Sequence, residues 1–539
     1  MSPPNAPYDV FALAAHRYPD RPFMEVLPRT AEVYGMTPGE ITFAQAIAEV
    51  TAWKNKLSDA GYGAGMRIAL LLENRPDHLL ILLAANRLGM SIVPINPDLR
   101  SAELEYMIGH AEPVLIIAVS TRVQELAKAA QNAGINLSVV TPDDPLPPPR
   151  ANAVSATLTD VAPDREAAMM YTSGTTGKPK GCVLTNRYFT ELGLNYRNMG
   201  GIAGLKNDGE RMITPLPLFH MNAMCFSFMG MLQVAGCLIV IDRFHPSTWW
   251  QDVRDSRATC LHYLGVMPSI LMSLPQTDQD RAHAVRFGFG AGIDPKLHAP
   301  FEDRFGIPLC EGWAMTETGA GATISNQATN RLIGQSSLGP VPDWLEVKLV
   351  DETGQQVPTG DPGELLVRRK HGDPRKGFFT EYYKNPEATA EAWADGWFHT
   401  GDVVRMGVGG NVFFVDRRKN VIRRAGENIA AVEVESVLMR HPDIAAAGVT
   451  AVPDALRGDE VFACLTVNDP SPQKAEELAR WALGQMAYYK VPGYIAFVDA
   501  LPLTATQKIQ RGDLKRRALE LRDNPGTVTL THLKKRRNS

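Results

Sequence analysis

Hydrophobic and polar positions follow two periods along the first 120 residues. Residues 43–57 repeat apolar side chains every three to four positions, as a helix with one buried face does. Residues 67–72 and 91–95 are short unbroken apolar runs, the pattern of strands buried on both faces. Residues 77–88 and 121–132 predict helices, and 114–118 a further strand. This succession predicts a parallel, doubly wound α/β sheet. Residues 141–150, rich in Asp and Pro, predict a surface loop. A strand follows at 167–172, and a second alternating block covers 212–310. Residues 345–367 read as short strands that turn at Asp351 to Gly354. After a strand at 413–416, helices at 432–440 and 475–488 and strands at 445–452, 462–467 and 494–497 predict a separate small α+β domain.

Composition narrows the class. The 539 residues are 45% hydrophobic and 21% charged, which excludes a disordered chain, a collagen-like rod and a minimal disulfide scaffold. A net charge of -4 argues against nucleic acid as the main partner. No apolar stretch is long enough to span a bilayer: the runs 68–72 and 79–85 are interrupted by Glu73, Asn74, Arg75, Asp77 and His78. The first residues lack a basic segment followed by an apolar one, so a cytoplasmic location is expected. Six scattered cysteines show neither CxxC nor zinc-ligand spacing and predict buried, reduced thiols. Residues 417–539 carry a net +6 and the remainder a net -10. Either a basic small part faces an acidic large part across an anionic ligand, or Lys534, Lys535, Arg536 and Arg537 form a solvated tail.

The strongest local signal is the run Tyr171, Thr172, Ser173, Gly174, Thr175, Thr176, Gly177, Lys178, Pro179, Lys180, Gly181. Its glycines let backbone N–H groups converge, and its hydroxyls and lysines add donors, so it suits a polyphosphate. It lacks the spacing of a Walker A loop.

With this loop, several further motifs resemble the adenylate-forming superfamily of acyl-CoA synthetases, adenylation domains and luciferases. They are Pro217-Leu-Phe-His220, Gly312-Trp-Ala-Met-Thr-Glu317, Trp397-Phe-His-Thr-Gly-Asp402, Asp416-Arg-Arg-Lys-Asn420, Ala425-Gly-Glu-Asn-Ile429 and Pro502-Leu-Thr-Ala-Thr-Gln-Lys-Ile509. The crotonobetaine/carnitine-CoA and fatty-acid-CoA ligases are the branch they look most like. The resemblance implies an α/β fold: a large domain, residues 1–416, of doubly wound sheets plus a small β-barrel-like part. A small mobile α+β domain, residues 420–539, would follow a hinge at 417–419. It further implies ATP, Mg²⁺ and CoA as reactants and cofactor, a small carboxylic acid as substrate, and a ligase that forms an acyl-AMP and then an acyl-CoA. No nucleic acid, no membrane span and a homodimer are the expected partner pattern. The alternative is a free-standing acyl-adenylating enzyme that hands the acyl group to a carrier protein or other acceptor; no C-terminal carrier domain with a phosphopantetheine serine motif is expected.

Each matched residue inherits an implied task. Lys508 would bridge the acid oxygen and the α-phosphate, where a cation offsets the meeting of two anions. Glu317 would ligate Mg²⁺, and Thr316 would donate to the α-phosphate. Asp402, as a carboxylate, would accept from the ribose hydroxyls, with Arg417 donating nearby. Trp313 stands where the family usually has Tyr and would stack on adenine, opposite Gly290, Ala291 and Gly292. His220, Asn222, Tyr263, Val266, Met267 and Ala314 would line the acyl side. Lys419 would be the hinge, and Gly426 would let a pantetheine arm pass. Three residues depart from the family pattern: Asn186 replaces a common His, Gln507 the usual Gly before the catalytic lysine, and Asn420 a common acidic residue.

Overall fold

The computed structural model describes residues 4–150, 162–172, 178–351, 353–417, 421–502 and 509–535, with the side chains of residues 408, 416 and 417 excluded. Lys508, Lys419, Gln507, Asn420 and Ser173 to Gly177 lie outside the described residues, as does the Arg417 side chain.

Helix Phe43–Asp59 shows how the sequence encodes its elements. Thr42 Oγ1 accepts from Gln45 N at 3.2 Å, and Gln45 Oε1 accepts from Thr42 N at 2.8 Å, satisfying donors that a helix start leaves orphaned. Phe43, Ala46, Val50, Trp53 and Leu57 form its buried face. The strand Arg67–Leu71 is buried at four of its five positions and pairs in parallel with Ser91–Pro94 and Leu115–Ala118.

These strands belong to a six-stranded sheet in the order Ser138–Val140, Leu115–Ala118, Arg67–Leu71, Ser91–Pro94, Glu166–Thr172, Lys180–Thr185. A second sheet of eight strands holds the block expected at 212–310: Arg211–Thr214, Cys237–Val240, Cys260–Leu264, Phe287–Ala291 and Leu309–Trp313 all pair in parallel. Pro22–Val26 and Gly39–Thr42 extend this second sheet rather than the first, because Pro22–Val26 pairs with Cys237–Val240. The expected barrel-like part is a five-stranded antiparallel sheet, Ser337–Pro340, Asn411–Arg417, Phe398–Met406, Pro362–Arg369 and Leu345–Val350. One buried cluster, from Val10 to Val412, joins all three sheets.

The last sheet, built from residues 421–529, packs over a separate core that includes Ile422, Val434, Val449, Leu465 and Leu478. The helix expected at 475–488 is Pro472–Gln485. Met486 turns extended, which frees residues 487–490 to face the large part.

All six cysteines are buried and free. No helix of the described residues is long and apolar enough to cross a membrane. The expectation of a solvated basic tail fails at Lys534. Its side chain is fully buried on Glu460, which also accepts from Arg424 Nε at 2.8 Å. Burial first, and then the neighbouring Arg424 charge, push Lys534 down to about 7.

Candidate functional site

A cleft of about 780 Å³ runs between the C-terminal ends of the parallel strands and one face of the small part, the crevice where open α/β sheets bind ligands.

At one end, Thr172 closes the strand Glu166–Thr172. Its Oγ1 donates to Glu317 Oε1 at 3.3 Å, and Tyr382 donates to the same oxygen at 2.9 Å. Burial, then the Glu317 charge, raise the Tyr382 phenol above its ordinary range, so it stays a donor. Lys180 Nζ lies 4.7 Å from the Tyr382 ring centre. Glu317 with the Thr172 hydroxyl forms a hard oxygen donor set, which fits Mg²⁺. Thr316 lines the cleft, while its carbonyl accepts from Tyr188 at 2.9 Å.

In the middle, Trp313 ends the strand Leu309–Trp313. Its indole Nε1 donates to Asp402 Oδ2 at 2.8 Å, with both residues buried. Asp402 lies directly across the antiparallel ladder from Arg417, so the backbone register brings together two positions 15 apart in sequence. Gly290, Ala291 and Gly292 also line the cleft. Gly292 N donates to Glu311 Oε1 at 3.2 Å. Burial pushes the Glu311 carboxyl up to about 6.

Glu311 therefore makes stability depend on pH. Because its folded pKa lies above the ordinary 4.5, the folded state binds the proton first as pH falls. As pH rises from 4.5 through 6, wild type should lose up to about 2 kcal/mol relative to Glu311→Gln, which keeps an acceptor for Gly292. Urea midpoints of both proteins at pH 5 and pH 7.5 check this. A constant difference between them would remove the titration from Glu311.

At the far end, His220, Asn222, Val266 and Ala314 line the cleft as expected. Tyr263 and Met267 do not. Alternation along Cys260–Leu264 turns Tyr263 to the opposite face, into the cluster of Ile239, Trp249 and Phe301, and its hydroxyl donates to Cys310 O at 3.4 Å. Met267 and Leu271 share the core face of the helix Val266–Ser273, whereas Val266 and Ser269 face the cleft. The wall that sequence reasoning missed includes Leu192, Phe226, Leu264, Phe289 and Thr323. Asn186 is buried away from the cleft and joins Asn86 and Ala162 at 2.6 and 3.0 Å.

The small part closes this end. Its strands Val421–Arg424 and Glu427–Ala430 pair as a hairpin whose turn holds Gly426 at φ +93°. That φ is one only glycine adopts without strain, and a Cβ there would stand 2.3 Å from Leu264 Cδ1, which would have to move aside. Glu427 Oε1 is 3.3 Å from His220 Nε2. Deeper in the same interface, Lys490 Nζ bridges Glu103 of the large part at 2.5 Å and Glu433 of the small part at 2.6 Å. Ala487 N donates to Glu103 Oε2 at 3.0 Å, and Asn96 Nδ2 to the Tyr489 hydroxyl at 3.0 Å. Burial alone would lower Lys490, but its two carboxylates outweigh that and raise it.

Comparison with known proteins agrees with this architecture. The sequence profile of the AMP-binding enzyme family matches residues 11–379, and that of the AMP-binding enzyme C-terminal domain matches residues 433–508. The chain is 30% identical to sulfoacetate–CoA ligase from Cupriavidus necator, over 93% of this chain and 96% of that one. It is 28% identical to crotonobetaine/carnitine–CoA ligase from Escherichia coli, over 90% and 95%. A double mutant of o-succinylbenzoate CoA synthetase from Bacillus subtilis, bound with its product analogue, superposes with a TM-score of 0.79 at 23% identity, over 94% of this chain and 98% of that one. The same synthetase with its acyl-adenylate intermediate superposes at 0.63 with 24% identity, over 94% and 97%. The chain belongs to the AMP-binding enzyme family.

Proposed function

We propose that the protein is a cytoplasmic, ATP-dependent carboxylic acid–CoA ligase. It forms an acyl-AMP and pyrophosphate, then an acyl-CoA and AMP, in one cleft used twice. The observation that carries this reading is the Gly426 hairpin. It brings a close-packed backbone turn of the small part to the acyl end of a cleft whose other end holds Glu317, Thr172, Trp313 and Asp402. A phosphate-binding cleft for adenylation alone has no need of this turn. The curated relatives above carry CoA ligase names, which supports a thiol acceptor over a carrier protein.

The residues divide the work. The loop Thr172 to Gly177 with Lys180 holds the phosphates. Glu317 would hold Mg²⁺, which neutralises charge on the departing pyrophosphate; Tyr382 and Thr172 fix the carboxylate that does so. Thr316 donates to the α-phosphate. Asp402 and Arg417 hold the ribose, and Trp313 with Gly290, Ala291 and Gly292 flanks the adenine. Lys508 bridges the acid oxygen and the α-phosphate. Residues 1–416 form the large domain and 420–539 the lid, which turns about Lys419 so that Lys508 and the Gly426 hairpin take turns at the acyl carbon. We read the lid orientation as the one for thioester formation; that the Gly426 hairpin lines the cleft supports this reading. The protein acts as a homodimer, the commonest assembly of soluble enzymes, which sedimentation checks.

The experiment is a chain-length series of acids with ATP and CoA, following pyrophosphate, AMP and acyl-CoA together. Ala314 sets the expected profile, because it stands at the floor of the acyl side and adds one methyl to the glycine usual in the family. Each buried methylene should gain at most ~0.8 kcal/mol until the wall is met, after which overpacking costs ~1–3 kcal/mol. Acids of about four to eight carbons should therefore lead, with acetate poor. Ala314→Trp should shift kcat/KM toward acetate and propionate, and Ala314→Gly toward longer chains. Pyrophosphate without acyl-CoA for every acid would favour the carrier-protein alternative. Selectivity that ignores residue 314 would place the floor elsewhere.

A further inference from the structure

Resting on the ligase reading, the acyl end can be read one step further, to the class of acid. Asn222 opens the helical turn Asn222–Ser227 and lines the cleft. Its Oδ1 lies 2.8 Å from His262 Nδ1 and 3.2 Å from Ser227 Oγ. His262 is fully buried, and its other nitrogen, Nε2, lies 2.9 Å from the hydroxyl of Tyr196, itself fully buried.

The chemistry of this chain of contacts fixes its direction. Among the described residues, the Tyr196 hydroxyl has His262 as its hydrogen-bond partner, and its buried O–H reaches an acceptor there only by donating to Nε2. Nδ1 then carries the ring proton, shared between Ser227 Oγ at 2.7 Å and Asn222 Oδ1 at 2.8 Å, while the Ser227 hydroxyl donates to Asn222 O at 3.1 Å. Burial holds His262 down to about 3, so the ring stays neutral, and the Tyr196 hydroxyl on Nε2 sets its tautomer. With Oδ1 committed inward, the planar amide must turn Nδ2 the other way. Asn222 Nδ2 has no hydrogen-bond partner among the described residues, nor is it among the buried atoms left without one. It is a donor open to the cleft.

Apart from Glu427, which the hairpin brings to His220, the wall that the large part gives this end is neutral. The cleft-lining positions within residues 217–226 and 264–269, together with Leu192, Phe289, Gly312 and Thr323, include no charged side chain other than His220, and His220 faces Glu427. A second carboxylate or a sulfonate on the acid would be buried without a cation, which is unfavourable. An ammonium would meet the positive end of the Asn222 amide.

We propose that Asn222, oriented by the Tyr196–His262 relay, is a second specificity-determining residue of the acyl side, reading polarity where Ala314 reads length, and that the enzyme takes an uncharged acyl group bearing a hydrogen-bond acceptor, a hydroxyl, carbonyl or ether oxygen, a few atoms beyond the carboxylate. His262 and Tyr196 act through Asn222 and are positioning residues.

The test is kcat/KM for matched acids with the intact enzyme, ATP and CoA. The panel sets butanoic and hexanoic acids against their 3-hydroxy, 4-hydroxy and oxo counterparts, with a dicarboxylic, a sulfonated and a trimethylammonium acid as charged arms. Wild type should favour the best neutral oxygenated acid over its alkyl parent by roughly 10- to 100-fold, and reject the charged arms. Asn222→Leu should erase that preference, bringing kcat/KM for the oxygenated acids down to that of their alkyl parents measured in the same variant. His262→Phe should weaken the preference through KM, with little change in kcat for the alkyl acids. A wild-type enzyme that prefers alkyl or charged acids, or a preference that survives Asn222→Leu, overturns the inference and leaves the ligase reading standing. If no acid of any class releases pyrophosphate, the ligase reading fails and this one with it. Should His262→Phe not fold, the Asn222→Leu comparison decides alone.

Discussion

Lys508→Ala should lower acyl-adenylate formation roughly 100- to 1,000-fold, yet leave conversion of supplied acyl-AMP with CoA nearly untouched. In the adenylation step two anions approach each other, and a single ammonium between them is present at full strength only in the transition state. In the thioester step that charge is no longer needed. The described residues that flank 503–508 are themselves held within the small part. Gln510 N donates to Pro502 O at 2.8 Å, and Ile509 packs against the cluster of Val452, Phe462 and Leu514. Neither Pro502 nor Ile509 lines the cleft, whereas the Gly426 hairpin does. Each half-reaction is measured separately, by pyrophosphate exchange and by acyl-CoA formation from synthetic acyl-AMP. Equal loss of both would give Lys508 a structural role. A loss under about tenfold would mean that Gln507 has displaced the lysine from its family position.

The second large effect should come from the interface, with the opposite split. Glu103→Gln removes the large-part leg of the Lys490 bridge and keeps the Lys490–Glu433 pair inside the small part. A hydrogen bond to a charged group is worth ~1.5–3 kcal/mol, which is roughly a 10- to 100-fold shift in the population of this lid orientation. Thioester formation should fall by that factor, with adenylation unchanged or faster. The burial of Lys490, 4% exposed, makes the salt dependence small, unlike that of a surface pair. Loss of adenylation together with thioester formation would show that the bridge holds the fold and not the lid orientation.

The sequence makes the site legible unevenly, and the pattern follows range. Residues expected from their own motif, such as Glu317, Asp402 and Gly426, line the cleft because short-range backbone geometry places them there. Strand alternation was also available: along Cys260–Leu264 it separates His262 and Leu264 from Tyr263, and that period argues against Tyr263 as a wall residue. Val266 and Met267 are separated in the same way by helical period. What no local pattern carries is pairing over long separations. Tyr382 reaches Glu317 across 65 residues and Lys490 reaches Glu103 across 387, and only the folded topology brings them together. Pro22–Val26 likewise joins the second sheet through a strand more than 200 residues away. Lys534 reads as a solvated tail because a basic run normally is one; the buried Glu460 that receives it lies on the strand Gly458–Val467, 74 residues earlier.

The central claim is that the acid's own oxygen attacks the α-phosphate and leaves with AMP. It is tested most directly by turning over an acid labelled with ¹⁸O in both carboxylate oxygens, with ATP and CoA, and weighing the products. One labelled oxygen should appear in AMP and the other should stay in the acyl-CoA carbonyl, with pyrophosphate unlabelled. Label in inorganic phosphate with ADP as the product, or AMP that carries none, would contradict an acyl-adenylate and with it the assignment of this cleft.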